Sequence, residues 1–376
     1  MLKKVQFLIA ALLLTLFCSH GYARDYWLMD EFLDTYPQQR HITSNFNHQV
    51  QSPARSIGRS IREPVKISII YPQEKQSDYW RRSVASFEAR MEELKVPYQI
   101  NKFYTDPNAD IRRQEQAILS AVEDNADYLI ITLHSNRHRR MLERIIAAGK
   151  PKVILQNITT PIKAWRNKQP FLYVGFDHTI GTRMLANWFI KQQPAIKDYA
   201  LVYWAKGYVS ETRGDSFVEI MRNETDYRLG SSYYTNTTRG SGYTAAANIM
   251  LENPRLGFIY TCSTDVAFGV SDVIGEKGKT GQILVNGWGG GASELEAINK
   301  GTLDVTVMRM NDDNGVAMAE AIKLDQEGKQ TLVPTIYSGE FSLITKETPA
   351  DEINRLRARA FRYSGTGSTN SSEGSQ

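Results

Sequence analysis

Cysteine is scarce in this chain of 376 residues, which contains only Cys18 and Cys262. Cys18 lies in an N-terminal leader that we expect to be removed, so the mature chain keeps one thiol. A single thiol excludes an intrachain disulfide, and with it the small folds that disulfides hold together. The mature protein therefore needs hydrophobic cores of full size, in which Cys262 is expected to be a small buried hydrophobic residue.

Long apolar runs are missing beyond the first residues. The one strongly apolar run, residues 5–17, is too short to cross a bilayer. It follows Lys3 and Lys4 and precedes the small residues of a GYA tripeptide, which is the pattern of a cleavable export signal. We therefore predict a signal peptide at residues 1–23. Because the leader is of the bacterial kind, it also predicts a periplasmic location.

Neither sign of charge dominates. The chain has 45 basic and 41 acidic residues, a net charge of +4, and removal of Lys3 and Lys4 with the leader leaves 43 basic against 41 acidic. So small an excess does not indicate nucleic-acid binding. Hydrophobic residues at 41% and charged residues at 23% are ordinary for a folded soluble protein.

The motifs that mark common enzymes are absent. The sequence has no Ser-His-Asp spacing, no phosphate loop of the Gly-x-x-x-x-Gly-Lys-Ser/Thr type, and no cluster of histidine and cysteine for a metal. No pair of carboxylates has an obvious acid and base assignment. We therefore predict a protein that is not an enzyme and that needs no metal or cofactor.

From Val65 onwards, apolar strand patterns alternate with amphipathic helix patterns. The strand pattern VKISIIYP is followed by the helix pattern DYWRRSVASFEARMEELK, and the alternation continues to the strand pattern DVTVMRM. Strict alternation predicts an α/β fold with parallel sheets and helices on both faces. The strands are too many for one open sheet, so we expect two sheets of about six strands or fewer, separated near Phe176 and Asp177.

The chain length also favours two domains, which are called lobes below. The predicted division runs as follows: an N-terminal arm at residues 24–64, a first lobe at 65–176 and 288–309, a second lobe at 177–287 and 310–345, a C-terminal helix at 346–364, and a disordered tail at 365–376. In the arm, only residues 27–36 show an amphipathic pattern. The tail is rich in glycine, serine, threonine and asparagine.

Ligands of open parallel sheets bind beyond the carboxyl ends of the strands, where helix N-termini converge. Polar and aromatic residues follow the predicted strands at these ends. They are Ser77, Trp80, His134, Asn157, Asp177, Lys206, Arg213, Thr264, Asp265, Trp288 and Arg309. The sequence therefore predicts a polar site with aromatic walls.

Two arginines stand out among these residues. Arg309 ends an apolar strand just before Asn311, the predicted cap of the next helix. It forms an ion pair with Asp312 or Asp313 in one interpretation, and faces a bound ligand in the other. Arg213 is predicted near the start of a helix, where a cation opposes the helix dipole and needs a partner. That partner is a neighbouring carboxylate, Glu211 or Asp215, or else a ligand oxygen.

The other candidates also have two interpretations. Trp80, in the opening turn of its helix, covers a sheet edge or faces a ligand. Trp288 is flanked by glycines and is expected to project its ring into a cavity, unless the glycines only form a tight turn. Asp265 is an N-cap or a ligand contact. Asn157 holds a turn or contacts a ligand. Together, two arginines, two tryptophans and short polar groups describe a pocket for a small, flat, oxygen-rich molecule, compatible with an anion.

Several long motifs resemble a known family. SDYW, LQNITTP, FLYVGFDH, ETRGDSF, CSTDVA, NGWGGG and VMRMNDD are similar to motifs of the LuxP family of periplasmic autoinducer-2 receptors. The alternating plan over residues 65–345 resembles the periplasmic sugar-binding proteins of the ribose-binding type more broadly. The resemblance implies a periplasmic binding protein fold of type I. That fold has two Rossmann-like lobes with parallel sheets, joined by three crossovers, with the ligand in the interlobe cleft.

The resemblance also implies a set of ligand contacts. Matching positions are Ser77, Trp80, Asn157, Arg213, Thr264, Asp265, Trp288 and Arg309. Lys75 stands where the family has a glutamine, so either Lys75 adds a positive group or its neighbour Gln76 takes over the contact. The implied ligand is autoinducer-2 as a furanosyl borate diester, in which boron belongs to the ligand. The two arginines would balance its negative charge.

The function expected from this resemblance is quorum sensing. Autoinducer-2 binding would close the lobes, and closure would transmit occupancy to a membrane sensor kinase, LuxQ, through its periplasmic domain. The alternative is a pentose-binding protein that feeds an ABC uptake transporter. A sugar-processing enzyme is disfavoured because no acid and base pair is evident. A repressor of the same fold would need a DNA-reading head, which the sequence lacks.

Overall fold

The structure is a computed structural model that describes residues 25–72, 78–105, 111–133 and 136–365. The predicted signal peptide and the predicted tail, except Gly365, lie outside the described residues. Within the described ranges, no helix combines the length and the apolar character needed to cross a bilayer.

Strands and helices alternate as the sequence predicts. The strands of the described residues are β1 (Val65–Pro72), β2 (Tyr98–Thr105), β3 (Tyr128–Ile131), β4 (Lys152–Gln156), β5 (Leu172–Phe176), β6 (Asp198–Tyr203), β7 (Arg228–Tyr234), β8 (Phe258–Thr261), β9 (Leu284–Val285), β10 (Val305–Arg309), β11 (Ile336–Gly339) and β12 (Phe341–Thr345). The helices are α1 (Met29–Thr35), α2 (Gln38–Gln51), α3 (Asp78–Glu93), α4 (Ile111–Glu123), α5 (Asn136–Ala148), α6 (His178–Gln192), α7 (Tyr208–Glu224), α8 (Arg239–Glu252), α9 (Thr264–Glu276), α10 (Ala292–Lys300), α11 (Asp312–Gln326) and α12 (Ala350–Ala360).

The first lobe is built on a six-stranded parallel sheet in the order β11-β5-β4-β3-β1-β2. Successive residues of its central strands enter different cores, because strand side chains alternate between the two faces. Ile130 packs in one core with α3 and α11, whereas Ile131 packs in the core on the other face. Burial on both faces is why these strands are apolar without interruption.

The second lobe continues the same plan. Strands β7, β6, β8 and β9 form a parallel sheet in that order. Parallel bridges from Asn286 to Val305 and from Gly289 to Met308 extend this sheet to β10. Strand β12 then pairs with β10 in the antiparallel sense. The α/β fold with two lobes and parallel sheets is thus confirmed.

The division of the last third of the chain differs from the predicted one. Residues 288–309, expected in the first lobe, contain β10, which lies in the second sheet. Residues 310–345, expected in the second lobe, contain α11 and β11, which pack in the first lobe, and only β12 joins the second. The sequence pattern gives the type of each element but not the sheet that it joins, because any apolar strand fits either sheet.

The arm and the C-terminus also differ in detail. The arm was expected to be mostly irregular, yet it forms α1 and α2. Helix α2 is held by packing, with Phe46 and Val50 fully buried in the core of the first lobe. Helix propensity therefore decides less here than the burial of a few large side chains. The C-terminal helix, predicted at residues 346–364, is the shorter α12, which is followed by a turn.

Three crossovers join the lobes, at residues 176–178, 309–312 and 339–341. Hydrogen bonds tie them together. Met310 N donates to Glu340 O (3.0 Å), and Asp177 N donates to Ser338 Oγ (3.1 Å). The connections therefore lie side by side and form one hinge region beneath the cleft.

Asp304, at the entrance to β10, makes the stability of the second lobe depend on pH. Burial raises its pKa from 3.8 to about 6, although Val285 N donates a hydrogen bond to its carboxylate (2.7 Å). Between pH 4 and 6 the folded chain therefore holds a proton that the unfolded chain has lost, and stability falls as the pH rises through this window. Each unit of pKa difference corresponds to about 1.4 kcal/mol.

We expect Asp304→Asn to remove this dependence. Urea unfolding at pH 4 and pH 7 measures this dependence. Between these two pH values, the free energy of unfolding of the wild type should fall by about 2–3 kcal/mol more than that of the variant. Equal pH slopes for the two proteins would show that Asp304 does not titrate in this range.

Candidate ligand-binding site between the lobes

Aromatic side chains from both lobes line the region where the crossovers meet. The ring of Phe341 lies 5.3 Å from that of Phe176 and 6.0 Å from that of Trp288, measured between centroids. Tyr79 of α3 lies 6.3 Å from Phe176 in an edge arrangement. These rings form an apolar floor on which the polar groups of the cleft are placed.

Arg309 ends β10 directly above this floor. Its guanidinium carbon lies 4.9 Å from the ring centroid of Tyr79 and 5.8 Å from that of Phe176. Its Nε is buried and makes no hydrogen bond with a described residue. Aromatic faces stabilise a cation without using its N–H groups. The donors of Arg309 thus remain available.

The carboxylates that could neutralise Arg309 locally are bound elsewhere. Asp312 accepts hydrogen bonds from Tyr363 N (2.7 Å) and Ser364 N (2.8 Å). Asp313 forms ion pairs with Arg359 and Arg362 of the C-terminal segment, at 3.4 and 2.7 Å. The interpretation of Arg309 as the partner of Asp312 or Asp313 is therefore wrong.

Arg213 is buried on the opposite side of the cleft, with 5% of its surface exposed. Its guanidinium carbon lies 4.0 Å from the ring centroid of Trp288, and its Nη1 donates to Cys262 O (2.7 Å). Its Nε donates to His178 Nδ1 at 3.4 Å. None of the ion pairs found in the described ranges includes Arg213.

The position of Arg213 on its helix differs from the predicted one. Helix α7 begins at Tyr208, so Arg213 lies in the second turn and not at the start. The carboxylate of Asp215, a predicted local partner, accepts instead from Tyr203 OH (2.6 Å). Neither Asp215 nor Glu211 pairs with the guanidinium, and a local carboxylate does not explain Arg213.

The two arginines form an unbalanced pair of positive charges. The pKa of Arg213 is lowered to about 9. Burial is the main cause, and the positive charge of the neighbouring Arg309 is the second. Burial also lowers the pKa of Arg309. Arg90, buried elsewhere in the first lobe, shows the opposite result: burial acts to lower its pKa, but Glu320 and Tyr363 together outweigh burial and the pKa is raised. The cleft arginines thus form no ion pair like that of Arg90 in the described residues, although the nearby Glu294 acts to raise the pKa of Arg309.

His178 belongs to the site but was not predicted. It follows Asp177, whose carboxylate caps α6 by accepting from Thr179 N (2.9 Å). Burial, together with Arg213 and Arg309, lowers the pKa of His178 well below 6.5, so the ring is neutral and its Nδ1 can accept from Arg213. Its sequence signal is its position just beyond the end of β5, next to Asp177, the residue that was predicted at this strand end.

Trp288 was expected to project into a cavity, and this expectation is wrong. Only 1% of its surface is exposed, its Nε1 donates to Tyr260 OH (3.2 Å), and its ring lies under the Arg213 guanidinium. The glycines after it have a different use. A Cβ added to Gly289 would lie 3.1 Å from Arg309 Nη2, so the glycine leaves room for that guanidinium. Trp288 therefore forms a wall that holds Arg213.

Thr264 and Asp265 begin α9 at the same edge of the cleft. Ser263 occupies the N-cap position, so Asp265 is not the cap that was predicted. Thr264 Oγ1 donates to Trp288 O (2.8 Å) and fixes the loop. Burial raises the pKa of Asp265, with Glu294 adding to the rise.

Trp80 and Asn157 face the site from the first lobe. Trp80 is buried against Tyr71 and Tyr79, at 4.7 and 4.8 Å between ring centroids. Asn157, which has a positive φ of 65°, keeps a buried Oδ1 that has no hydrogen-bond partner. Both line a small cavity of about 60 Å³, together with Lys206 from the second lobe.

A larger cavity of about 330 Å³ is lined by residues of both lobes, including Tyr79 and Arg309. Its lining includes Thr264, Asp265, Arg309, Asn311 and Phe361. The structure thus places Arg309, Thr264 and Asp265 at this cavity and Trp80 and Asn157 at the smaller one, whereas Arg213 and Trp288 are buried and line neither. Ser77 and Lys75, with Gln76 and His134, lie outside the described residues. Tyr79, His178 and Glu294 are cleft residues that the sequence analysis missed.

A wider crevice of about 680 Å³ lies behind the first lobe, between α2 and α11. Its buried charges are paired. Glu320 binds Arg90 (2.8 Å to Nε), and Glu327 binds Lys323 and Lys329 at 3.7 and 2.8 Å. Arg213 and Arg309 form no ion pair in the described part of the chain, which is why we assign the binding site to the interlobe cleft.

Ligands of open parallel sheets bind at the carboxyl ends of the strands, which is where the polar cleft of this two-lobed α/β fold lies. The family model of the periplasmic binding protein domain matches residues 67–330, more than half of the chain. The chain therefore belongs to the periplasmic binding protein family.

Several known proteins are similar to this chain. The D-allose-binding periplasmic protein of Escherichia coli K12 is 26% identical over 134 residues, 36% of this chain and 43% of that protein. The match thus spans less than half the length of this relative.

Two solved structures share the fold. A periplasmic solute-binding protein of an ABC transporter from Actinobacillus succinogenes 130z, with bound D-allose, has a TM-score of 0.65 at 18% identity. The alignment covers 76% of this chain and 98% of that one. A periplasmic ribose ABC transporter protein from Conexibacter woesei has a TM-score of 0.66 at 20% identity. That alignment covers 80% and 97% of the two chains.

Proposed function

We propose that this protein is a periplasmic, non-enzymatic receptor that holds one sugar-sized solute in the interlobe cleft. The cavity of about 330 Å³ falls at the lower end of the range for small-molecule sites, about 300–1,000 Å³. Donors and aromatic faces from both lobes converge on it. A ligand that contacts both lobes stabilises their closed arrangement, which is the physical basis of signalling by closure.

We further propose that the solute is autoinducer-2 in its furanosyl borate diester form. One observation carries this proposal: Arg213 is buried and Arg309 half-buried between the lobes, and neither forms an ion pair in the described part of the chain, although the Glu294 carboxylate lies near Arg309 and acts to raise its pKa. Two uncompensated guanidinium groups favour a ligand with a negative charge and several oxygen acceptors. A borate diester has both properties.

A partner follows from the same proposal. The family resemblance supports a membrane sensor kinase of the LuxQ type, whose periplasmic domain would respond to lobe closure. The protein would then report occupancy instead of delivering its solute.

The second candidate is a carrier of a neutral sugar, such as a pentose, for an ABC uptake transporter. The known relatives favour this candidate, because the proteins named above bind D-allose or belong to ribose transport. Tyr79, Trp80 and Phe176 would serve a sugar ring as well as a borate ester, since aromatic faces pack on ring C–H groups.

Calorimetry with four solutions separates the candidates: autoinducer-2 with borate, autoinducer-2 without borate, D-ribose and D-allose. We expect the tightest binding with borate present and at least about tenfold weaker binding of either sugar, because a neutral sugar leaves the guanidinium charge unbalanced. Borate alone is the control for heat of mixing. Tight binding of a sugar without any response to autoinducer-2 would establish the transport function and refute the receptor.

A further inference from the structure

Asn311 follows Arg309 at the second crossover, and the sequence predicts that it caps α11. The structure assigns it no such role. Asn311 occupies the position before Asp312, but its side chain makes no capping hydrogen bond. The residue is 96% buried, and its Nδ2 has no hydrogen-bond partner in the described chain. A buried carboxamide with an unused donor costs free energy unless another molecule satisfies it.

The position of Asn311 shows where such a molecule would lie. Asn311 lines the cavity of about 330 Å³ together with Arg309 and Asp265. Phe361, whose ring lies 4.5 Å from the guanidinium carbon of Arg82, also lines this cavity. The compartment thus combines donors from an amide and a guanidinium with an aromatic wall.

Other unsatisfied groups lie in the same cleft. Buried atoms without a hydrogen-bond partner include Asn157 Oδ1, Ser263 Oγ and Arg309 Nε, besides Asn311 Nδ2. Buried asparagines that have a structural role differ. Asn286, also fully buried, accepts from Thr261 N (2.9 Å) and donates to Thr261 O (2.9 Å). The Asn286 amide therefore stabilises the fold through its hydrogen bonds, whereas the Nδ2 donor of Asn311 is available to a ligand.

We propose that Asn311 is a ligand-contacting residue that selects for a hydroxyl-bearing part of the solute. An amide offers both a donor and an acceptor, which complements the donor and acceptor of a hydroxyl, whereas Arg309 only donates. The compartment thus holds a hydroxyl-bearing edge of a cyclic polyol, with its apolar face towards Phe361. This inference rests on the proposed binding function and adds a residue that neither the sequence motifs nor the family resemblance assigns.

The test compares Asn311→Ala with Asn286→Ala in the full mature chain. Thermal unfolding without ligand should leave the melting temperature of Asn311→Ala within about 2 °C of the wild type, whereas Asn286→Ala should melt at least about 4 °C lower. Calorimetry with autoinducer-2 and borate, D-ribose and D-allose should show about fivefold weaker binding for Asn311→Ala with whichever probe the wild type binds. Asn311→Asp should lose more affinity for an anionic probe, because it places a carboxylate in the compartment of Arg309.

The outcomes are distinct. A melting temperature of Asn311→Ala that falls as far as that of Asn286→Ala, or an unchanged affinity for the bound probe, overturns the inference. If the wild type binds none of the three probes, the proposed function fails. The inference then fails with it, whereas a wild type and an Asn311→Ala variant that bind the same probe equally well overturn the inference alone.

Discussion

Replacement of either cleft arginine by methionine is expected to weaken ligand binding while the free protein keeps or gains stability. For Arg309→Met and Arg213→Met we expect at least about 1.5 kcal/mol of lost binding free energy, or more than tenfold in affinity, the lower limit for hydrogen bonds to a charged group. The free protein should gain up to about 1–3 kcal/mol, since methionine fills much of the same volume and removes a largely desolvated cation that forms no ion pair among the described residues.

Calorimetry with autoinducer-2 and borate measures the first effect, and urea unfolding without ligand measures the second. Arg213 donates to Cys262 O, whereas Arg309 Nε has no hydrogen-bond partner among the described residues, so the gain in stability should be larger for Arg309→Met. A loss of several kcal/mol in the free protein would show that the guanidinium groups serve the fold. That result would contradict their assignment to a ligand.

The largest loss of stability is expected at Arg90. Its guanidinium, 1% exposed, donates from Nε to Glu320 (2.8 Å) and from Nη2 to Ser52 O (2.9 Å). It therefore joins α3, α11 and the end of α2. Removal of Arg90 leaves Glu320 buried and unpaired, which costs about 3–5 kcal/mol. We expect Arg90→Met to lower the free energy of unfolding in urea by this amount.

The matched control removes both charges. The double variant Arg90→Met with Glu320→Leu should recover most of the loss, because no uncompensated charge remains. Ligand affinity should not change in either variant, since the ion pair lies behind the first lobe and away from the cleft. If Arg90→Met and Arg309→Met had the same effect on stability, the distinction between paired and unpaired arginines would be wrong.

The fold could be predicted from the sequence because its signal is local. Runs such as YLII and KVILQ, buried on both faces, require a covered parallel sheet, and the helices between them supply the cover. The lobe that each later element joins could not be predicted. The crossover at residues 309–312 carries α11 back to the first lobe, and that choice depends on packing against α3.

The candidate site was predictable in its charged residues and less so in its geometry. Strand-end position was enough to select Arg213 and Arg309, because the edges of parallel sheets converge. It did not show that Asp312 and Asp313 are occupied by the C-terminal segment, which lies about fifty residues further along the chain. It also did not show that Trp288 is packed beneath Arg213, since burial of a side chain after a glycine-flanked turn depends on the neighbouring helices.

The most direct test is a crystal structure of the mature protein grown with autoinducer-2 and borate. The account predicts one ligand between the lobes, with its oxygens within about 3.2 Å of guanidinium nitrogens of both Arg213 and Arg309. A ligand bound outside this cleft, or arginines turned away to pair with protein carboxylates around it, would contradict the account.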